Sequence, residues 1–237
     1  TGQATLLTGA NAVSAGPEGF VVETDDEPIV AGSVIVATGA HPNRLGVPGE
    51  ADFTGRGVSY CATCDGAMFK EKAVAVVGGG DAAVEEALFL TRFATKVTII
   101  HRRDELRAAK ILQERALANE KIEIAWSSRL VRVDGDQVVR GATIADVDSG
   151  EESALEVDGV FIYVGTVPNS ECVSGLVDSD ERGFILTDDR LATSARGVFA
   201  CGDVRASHLR QVATAVGDGA LASVSAQKYL DELAAQQ

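Results

Sequence analysis

The sequence has little that is aromatic, little sulfur and few basic residues. Phe, Trp and Tyr make up 5% of its 237 residues, so any core must be built mainly from aliphatic side chains. Four cysteines occur, Cys61, Cys64, Cys172 and Cys201, which excludes a disulfide-stapled scaffold in a chain this long. So sparse a usage points to a cytoplasmic setting. Lysine and arginine number 21 against 35 aspartates and glutamates, for a formal net charge of −14. Nucleic-acid binding needs clustered positive charge to neutralise phosphates, so that class is not expected. No apolar run approaches the ~20 residues of a membrane-spanning helix, so no membrane span is expected. The opening Thr1-Gly2-Gln3 carries no charged-then-apolar signal segment and no initiator methionine.

What is present suits an α/β protein. Hydrophobic residues at 46% suffice for one large or two modest cores, and 25 glycines supply tight turns and close backbone approaches. Phe20–Thr24 and Ser33–Ala37 read as strands, and Gly16-Pro17 as a turn between short strands. A loop with Gly46, Pro48 and Gly49 reads as a domain linker. Ala73–Val77 is continuously apolar, the pattern of a strand covered on both faces of a parallel sheet. A helix from about Asp81 to Phe93 and a second buried strand, Lys96–Ile100, complete a βαβ unit. Arg107–Asn119 reads as a helix. Ile122–Trp126, Arg129–Val133, Val138–Val147 and Leu155–Val164 read as strands, with a turn at Gly135-Asp136. Gly183–Leu186 reads as a short strand, Gly197–Asp203 as a strand ending at Gly-Asp, and Val212–Leu233 as a long closing helix.

Three motifs carry chemistry. Gly78-Gly79-Gly80-Asp81-Ala82-Ala83 is a G-x-G-x-x-A pattern after a buried strand and at the opening of a helix. Glycines there let the backbone approach a pyrophosphate, and the helix N-terminus offers free N–H groups. The second strand ends in His101-Arg102-Arg103, with Arg107 four residues on, where an NAD site places a carboxylate. Arginine forks match phosphate, so this point reads as the 2′-phosphate side of NADPH, against the plainer alternative of a solvated basic patch. Cys61-Ala62-Thr63-Cys64-Asp65-Gly66 holds two cysteines that can close a disulfide or share a metal. Zinc needs four ligands, and no second pair completes a site, so a redox disulfide is favoured and no metal is expected. Asp65 suits either a general acid for thiol–disulfide exchange or a turn residue before Gly66.

In order and spacing, Cys-Ala-Thr-Cys-Asp-Gly, Val-Gly-Gly-Gly-Asp-Ala-Ala-Val-Glu-Glu-Ala and His-Arg-Arg-x-x-x-Arg-Ala resemble the bacterial low-molecular-weight thioredoxin reductase family. Val34–Gly39 resembles its strand ending in Ala-Thr-Gly, and Gly202-Asp203-Val204 with Arg210-Gln211-Val212-Ala213 resembles its C-terminal FAD signature. The resemblance covers nearly the whole chain. It implies a two-domain FAD/NAD(P)-binding α/β fold, three-layer ββα and Rossmann-like, with the FAD domain incomplete. Residues 1–43 and 169–237 would form the FAD domain and 44–168 the NADPH domain with the cysteine pair. It implies that electrons pass from NADPH through FAD and the disulfide to thioredoxin. Cys64 would face the flavin, Cys61 would attack thioredoxin, and Asp65 would handle the proton. Gly78, Gly80, Asp81, Ala82, Ala83 and Glu85 would lie along the nucleotide, with His101, Arg102, Arg103 and Arg107 at its 2′-phosphate. Thr38, Gly39, Gly202, Asp203, Arg210, Gln211, Val212 and Ala213 would hold FAD, Asp203 at the ribityl part. A homodimer is also implied, as is a domain rotation about loops near Gly46–Gly49 and Val167–Asn169.

The chain departs from that pattern at three places. Asp81 and Ala82 stand where the family usually has Asn and Thr, and a carboxylate beside a pyrophosphate is unfavourable unless it points away or caps the helix. Cys201 stands where alanine is common and reads as packing. Nothing before Thr38 resembles the family's own G-x-G-x-x-G for FAD. The expectation is that an N-terminal part lies outside this sequence and that these residues alone bind FAD poorly. Three relatives compete. The flavin-dependent reductase of a peroxiredoxin system tends to use NADH, which the arginine cluster opposes. A ferredoxin- or flavodoxin-linked reductase lacks the cysteine pair. A non-catalytic NADPH-binding redox module is supported only by the absent FAD fingerprint.

Overall fold

The computed structural model describes residues 9–17 and 19–236, so the Thr1-Gly2-Gln3 start lies outside it. The chain forms two units: one ends at His41 and resumes at Thr166, and the other is Pro42–Gly165.

The discontinuous unit opens with β1 (Ala10–Gly16), β2 (Gly19–Thr24) and β3 (Ile29–Ala31), an antiparallel meander. It continues with β4 (Val34–Val36) and β5 (Ala40–Pro42).

The second unit contains, in order, β6 (Val58–Ser59), α1 (Ala62–Asp65), β7 (Ala73–Val77), α2 (Asp81–Leu90), β8 (Lys96–Ile100), α3 (Lys110–Leu117) and β9 (Ile122–Ala125). β10 (Ser128–Gly135), β11 (Val139–Asp146), β12 (Glu152–Leu155) and β13 (Gly159–Ile162) complete it. The central sheet is parallel throughout, in the order β6-β13-β7-β8-β9, and β10-β11-β12 is an antiparallel meander. Strand side chains alternate between faces. Accordingly Val74, Val76, Val97 and Ile99 pack with Val84, Ala87, Leu90, Leu112 and Ala116 of α2 and α3. Ala75, Val77 and Ile100 pack instead with Leu130, Val133, Val139 and Ala142 of the meander. Both faces are therefore covered, which is why the runs at 73–77 and 96–100 are apolar without alternation. Each fully buried Val or Ile of this sheet contributes roughly 1.5–3 kcal/mol.

Back in the first unit, β14 (Thr166–Pro168) pairs with β5, and β15 (Val198–Ala200) runs parallel to β4 before α4 (Val212–Ala234) ends the described chain. Val198 and Ala200 share a cluster with Val13 and Phe20 of the meander. Phe199 and Cys201 pack against Ala222 and Ala226 of α4. This repeats the meander–parallel strand–helix layering, the three-layer ββα arrangement expected from the sequence.

Three elements differ from their sequence reading. Leu155–Val164 is not one strand: β12 ends at Leu155 and β13 starts at Gly159. Val157 between them is buried in the meander cluster, so the connection looks apolar without being extended strand. Gly183–Leu186 forms no strand, because Ile185 makes only isolated bridges to Ser179 and Arg205. The helix read from Arg107 begins at Lys110, because Arg107 and Ala108 turn their N–H groups onto Gly79 O, at 2.7 and 3.1 Å.

Candidate active site

Cys61 and Cys64 form a disulfide across α1, with their Cα atoms 5.3 Å apart. Cys61 is extended and caps α1 itself: its Sγ accepts the Cys64 N–H at 3.2 Å and lies 3.3 Å from Thr63 Oγ1. Cys64 is exposed and Cys61 half-buried, so the pair opens to solvent. Ser59, at the end of β6, organises the approach. Its hydroxyl donates to Asp65 Oδ2 at 2.6 Å and accepts the Cys61 N–H at 3.1 Å. Asp65 thus sits at the last position of the disulfide's own helix with one carboxylate oxygen held. Tyr163, directly after β13, receives the Ala62 N–H at 2.6 Å. Burial first, then the carboxylate of Glu86, holds the Tyr163 hydroxyl well above its ordinary pKa, so it stays neutral. Glu86 is pushed up by its own burial, and its Oε2 has no hydrogen-bond partner.

The glycine loop lies in the same unit. Gly78 has φ +146°, and a Cβ there would come within 2.5 Å of Tyr163 O and 2.7 Å of Ala83 Cβ. At Gly79 a Cβ would meet His101 Nδ1 at 2.2 Å. Glycine is required at both places because other side chains do not fit. α2 opens at Gly80 with no side-chain cap, leaving its first N–H groups to a ligand or water. A cavity of about 230 Å³ lies here, lined by Gly78, Gly79, His101, Arg102, Arg107 and Tyr163 among others. Asp81 does not face it as a free carboxylate: Oδ1 accepts the Ala109 N–H at 2.7 Å, at the start of α3.

The four basic positions divide. Arg102, Arg103 and Arg107 are exposed, and among the described residues no ion pair engages them. His101 is 4% exposed, with Nε2 3.0 Å from Glu105 O. Burial, with the three arginines adding to it, lowers its pKa, so the ring is neutral and donates from Nε2 to that carbonyl. It supports the glycine loop from behind rather than presenting a charge. Glu85 is exposed and lies elsewhere, on a cavity of about 670 Å³ with Thr63, Glu86, Phe89, Arg92 and Arg115.

In the discontinuous unit, Gly202 takes φ +73° and begins the turn Gly202–Val204. Its N–H donates to Asp218 Oδ2 at 3.2 Å, and Arg205 grips the same carboxylate through Nε at 2.6 Å and Nη2 at 3.2 Å. Arg210 lies 4.0 Å above the Phe184 ring and donates Nε to Asp203 O at 3.4 Å. Its Nη2 is buried with no partner. Gln211 and Thr214 cap α4 reciprocally, while Val212 and Ala213 are exposed at its start. Thr38 and Gly39 are tied to Asn169: its Nδ2 donates to Thr38 O at 2.8 Å and its N–H to Gly39 O at 2.9 Å. Burial raises the thiols of Cys172 and Cys201, which keeps both in the inert neutral form. Among the described residues no His, Cys, Asp and Glu cluster could hold a metal ion, and no helix is long and apolar enough to cross a membrane.

Sequence reading missed Ser59, Tyr163, Asn169 and Asp218. Ser59 lies two residues before the cysteine motif and was within reach of a local argument. Tyr163 meets Ala62 across 101 residues, a pairing that no local pattern signals.

A family model described as pyridine nucleotide-disulphide oxidoreductase matches residues 1–219, and the chain belongs to that family. Within it, the similarity is to thioredoxin reductases. That of Listeria monocytogenes is 51% identical over 219 residues, spanning 92% of this chain and 69% of the relative. That of Bacillus subtilis is 50% identical over the same shares. The solved thioredoxin reductase of Streptococcus pyogenes is 48% identical with a TM-score of 0.89, covering 94% of this chain and 73% of that one. The one from Giardia duodenalis is 35% identical with a TM-score of 0.87, over 94% and 74%.

Proposed function

We propose that this protein is a thioredoxin-disulfide reductase: NADPH, a proton and oxidised thioredoxin give NADP⁺ and the thioredoxin dithiol. The observation that carries the reading is the Cys61–Cys64 disulfide in one unit with the Gly78–Gly80 loop and its exposed arginines. Arg102, Arg103 and Arg107 would hold the 2′-phosphate, and Gly78, Gly80, Ala82 and Ala83 the pyrophosphate side.

The residues of the other unit fit FAD, because Arg210 Nη2 is a buried donor awaiting an acceptor. Asp203, Arg210, Gln211 and Ala213 would hold FAD, with Thr38, Gly39, Gly202 and Val212 beside them. Bound FAD would supply a carrier able to accept two electrons from NADPH and give them to a disulfide. Opening the Cys61–Cys64 bond takes two electrons and leaves two sulfurs that need protons. Asp65, held by Ser59 through one oxygen, would give one. The Cys64 N–H, already directed at Cys61 Sγ, stabilises the remaining charge there and prepares Cys61 to attack a substrate disulfide. This reading carries with it a cytoplasmic homodimer; light scattering on the purified protein measures the second of these.

The visible spectrum of the purified protein before and after NADPH is the test, followed by NADPH oxidation with thioredoxin. With FAD added in excess, a flavin band that bleaches on NADPH addition, with turnover that requires thioredoxin, is expected. NADPH binding without turnover in the presence of added FAD would make the protein a redox-sensing module instead.

A further inference from the structure

We propose that Tyr163 is a positioning residue for the Cys61–Cys64 turn, holding the disulfide helix in register with the nucleotide loop. The inference rests on the redox reading of that cysteine pair. Three observations on one side chain lead to it. Its main-chain N–H donates to Val77 O at 2.8 Å, and its carbonyl packs so closely over Gly78 that a Cβ there would approach to 2.5 Å. The backbone of Tyr163 is therefore fixed against the glycine loop. The residue lines the 230 Å³ cavity together with Gly78, Gly79, Arg102 and Arg107. At the far end of that side chain, the hydroxyl takes the Ala62 N–H at 2.6 Å.

Ala62 is the residue between the extended Cys61 and the remainder of α1, and it is 0% exposed. Ala62 is closed to bulk water, so removing the hydroxyl takes away the partner of its buried N–H, a loss costly enough to make the turn rearrange. The contacts that depend on the turn are the ones chemistry needs. The Cys64 N–H meets Cys61 Sγ at 3.2 Å, and the Asp65 N–H meets Cys61 O at 3.1 Å. If the turn relaxes, the donor leaves Cys61 and its thiolate loses stabilisation. Tyr163 itself does not exchange protons, because its contact is with a backbone N–H and not with sulfur. Glu86 and Asp65 both face the hydroxyl electrostatically and favour its neutral form. The phenol therefore works as a fixed acceptor.

The test is the pH profile of Cys61 alkylation by iodoacetamide in dithiothreitol-reduced protein, wild type against Tyr163→Phe, with the alkylated cysteine located by peptide mass spectrometry. It needs no flavin. The expected result is a midpoint about one pH unit higher in the variant, and so roughly tenfold slower alkylation well below both midpoints. Superimposed profiles overturn the proposal. A second measurement needs no variant: amide hydrogen exchange at Ala62 in the wild type is slow if the bond exists, and exchange at the rate of an unstructured peptide amide overturns it. Thioredoxin-dependent turnover of the wild type tests the parent reading separately, so a failure there is not confused with a failure here.

Discussion

The carboxylate of Asp81 accepts the backbone N–H of Ala109 at 2.7 Å, joining the first residue of α2 to the start of α3. A residue that looks misplaced beside a pyrophosphate site is thereby given a structural task. α3 has no side-chain cap of its own, and Asp81 reaches across to one of its unsatisfied N–H groups. Asp81→Ala is expected to lower stability by about 1 kcal/mol, as for loss of a helix cap. In a chain of this size that corresponds to a drop of about 2–4 °C in Tm. Asp81→Asn keeps an acceptor and should recover most of it. NADPH affinity in Asp81→Asn should stay within about threefold of wild type, because a carboxylate already held by an N–H adds little repulsion. Calorimetry and nucleotide titration check both halves. A much larger gain in affinity would mean that Asp81 faces the phosphates after all.

The arginines make the nucleotide preference testable residue by residue. Arg102, Arg103 and Arg107 are exposed and form no ion pair among the described residues, so their charge is available to a phosphate. A hydrogen bond to a charged group is worth about 1.5–3 kcal/mol, so Arg102→Ala or Arg107→Ala should weaken NADPH by roughly ten- to a hundredfold. NADH lacks the 2′-phosphate and should bind the variants as it binds the wild type. Comparing the two nucleotides by titration isolates that phosphate. Equal losses for both would assign the arginines to fold stability.

How much of this could be read beforehand depends on how local each feature is. The parallel sheet was legible because Val74, Val76, Val97 and Ile99 are covered on one face and Ala75, Val77 and Ile100 on the other, leaving continuous apolar runs. The cysteine turn was legible because its parts span four residues. The region from 183 to 186 misled, since Phe184 and Ile185 are fully buried yet pair with no strand. Burial produces the same apolar letters in a loop as in a sheet. His101 lines the cavity with the arginines, but as a buried neutral ring and not as an exposed charge. Its ring fills the space that Gly79 leaves open, a contact that no local pattern signals. Tyr163 and Asp218 were invisible because their partners are brought near only by the finished fold.

Ser59 offers a test of the proton path. Its hydroxyl fixes one oxygen of Asp65 at 2.6 Å, and no other described side chain donates to that carboxylate. Asp65→Asn removes the acid and should lower thioredoxin-dependent kcat by about a hundredfold or more, in the range for general acid–base groups. Ser59→Ala leaves the acid but frees it to rotate, so a loss of roughly tenfold is expected. Neither change touches the nucleotide cavity, so KM for NADPH should hold. Stopped-flow measurement of disulfide reduction, apart from steady-state turnover, checks whether the loss falls on the dithiol step. If Asp65→Asn turned over at the wild-type rate, Asp65 would be a turn residue.

The grip of Arg205 on Asp218 makes part of the discontinuous unit's stability depend on acid pH. The hydrogen bond from Arg205, opposed by burial and aided by the Gly202 N–H, holds the Asp218 carboxyl below its ordinary pKa. The folded state thus releases this proton more readily than the unfolded chain, whose aspartates titrate near about 3.9. The bridge contributes fully above that value, and its contribution is lost as pH falls from about 4 through the lower folded pKa. Asp218→Asn keeps an oxygen for the Gly202 N–H but loses the charge. Its stability should fall below wild type at neutral pH, and the gap should close as the pH drops below about 4, where the wild-type carboxylate is itself protonated. Because Asp218 also anchors Gly202, the first residue of the turn assigned to FAD, the variant should bind added FAD more weakly at neutral pH. Denaturant melts across pH 3 to 8, with flavin fluorescence quenching at neutral pH, measure both effects. A stability gap that stays constant with pH would show that the charge on Asp218 adds nothing beyond its shape.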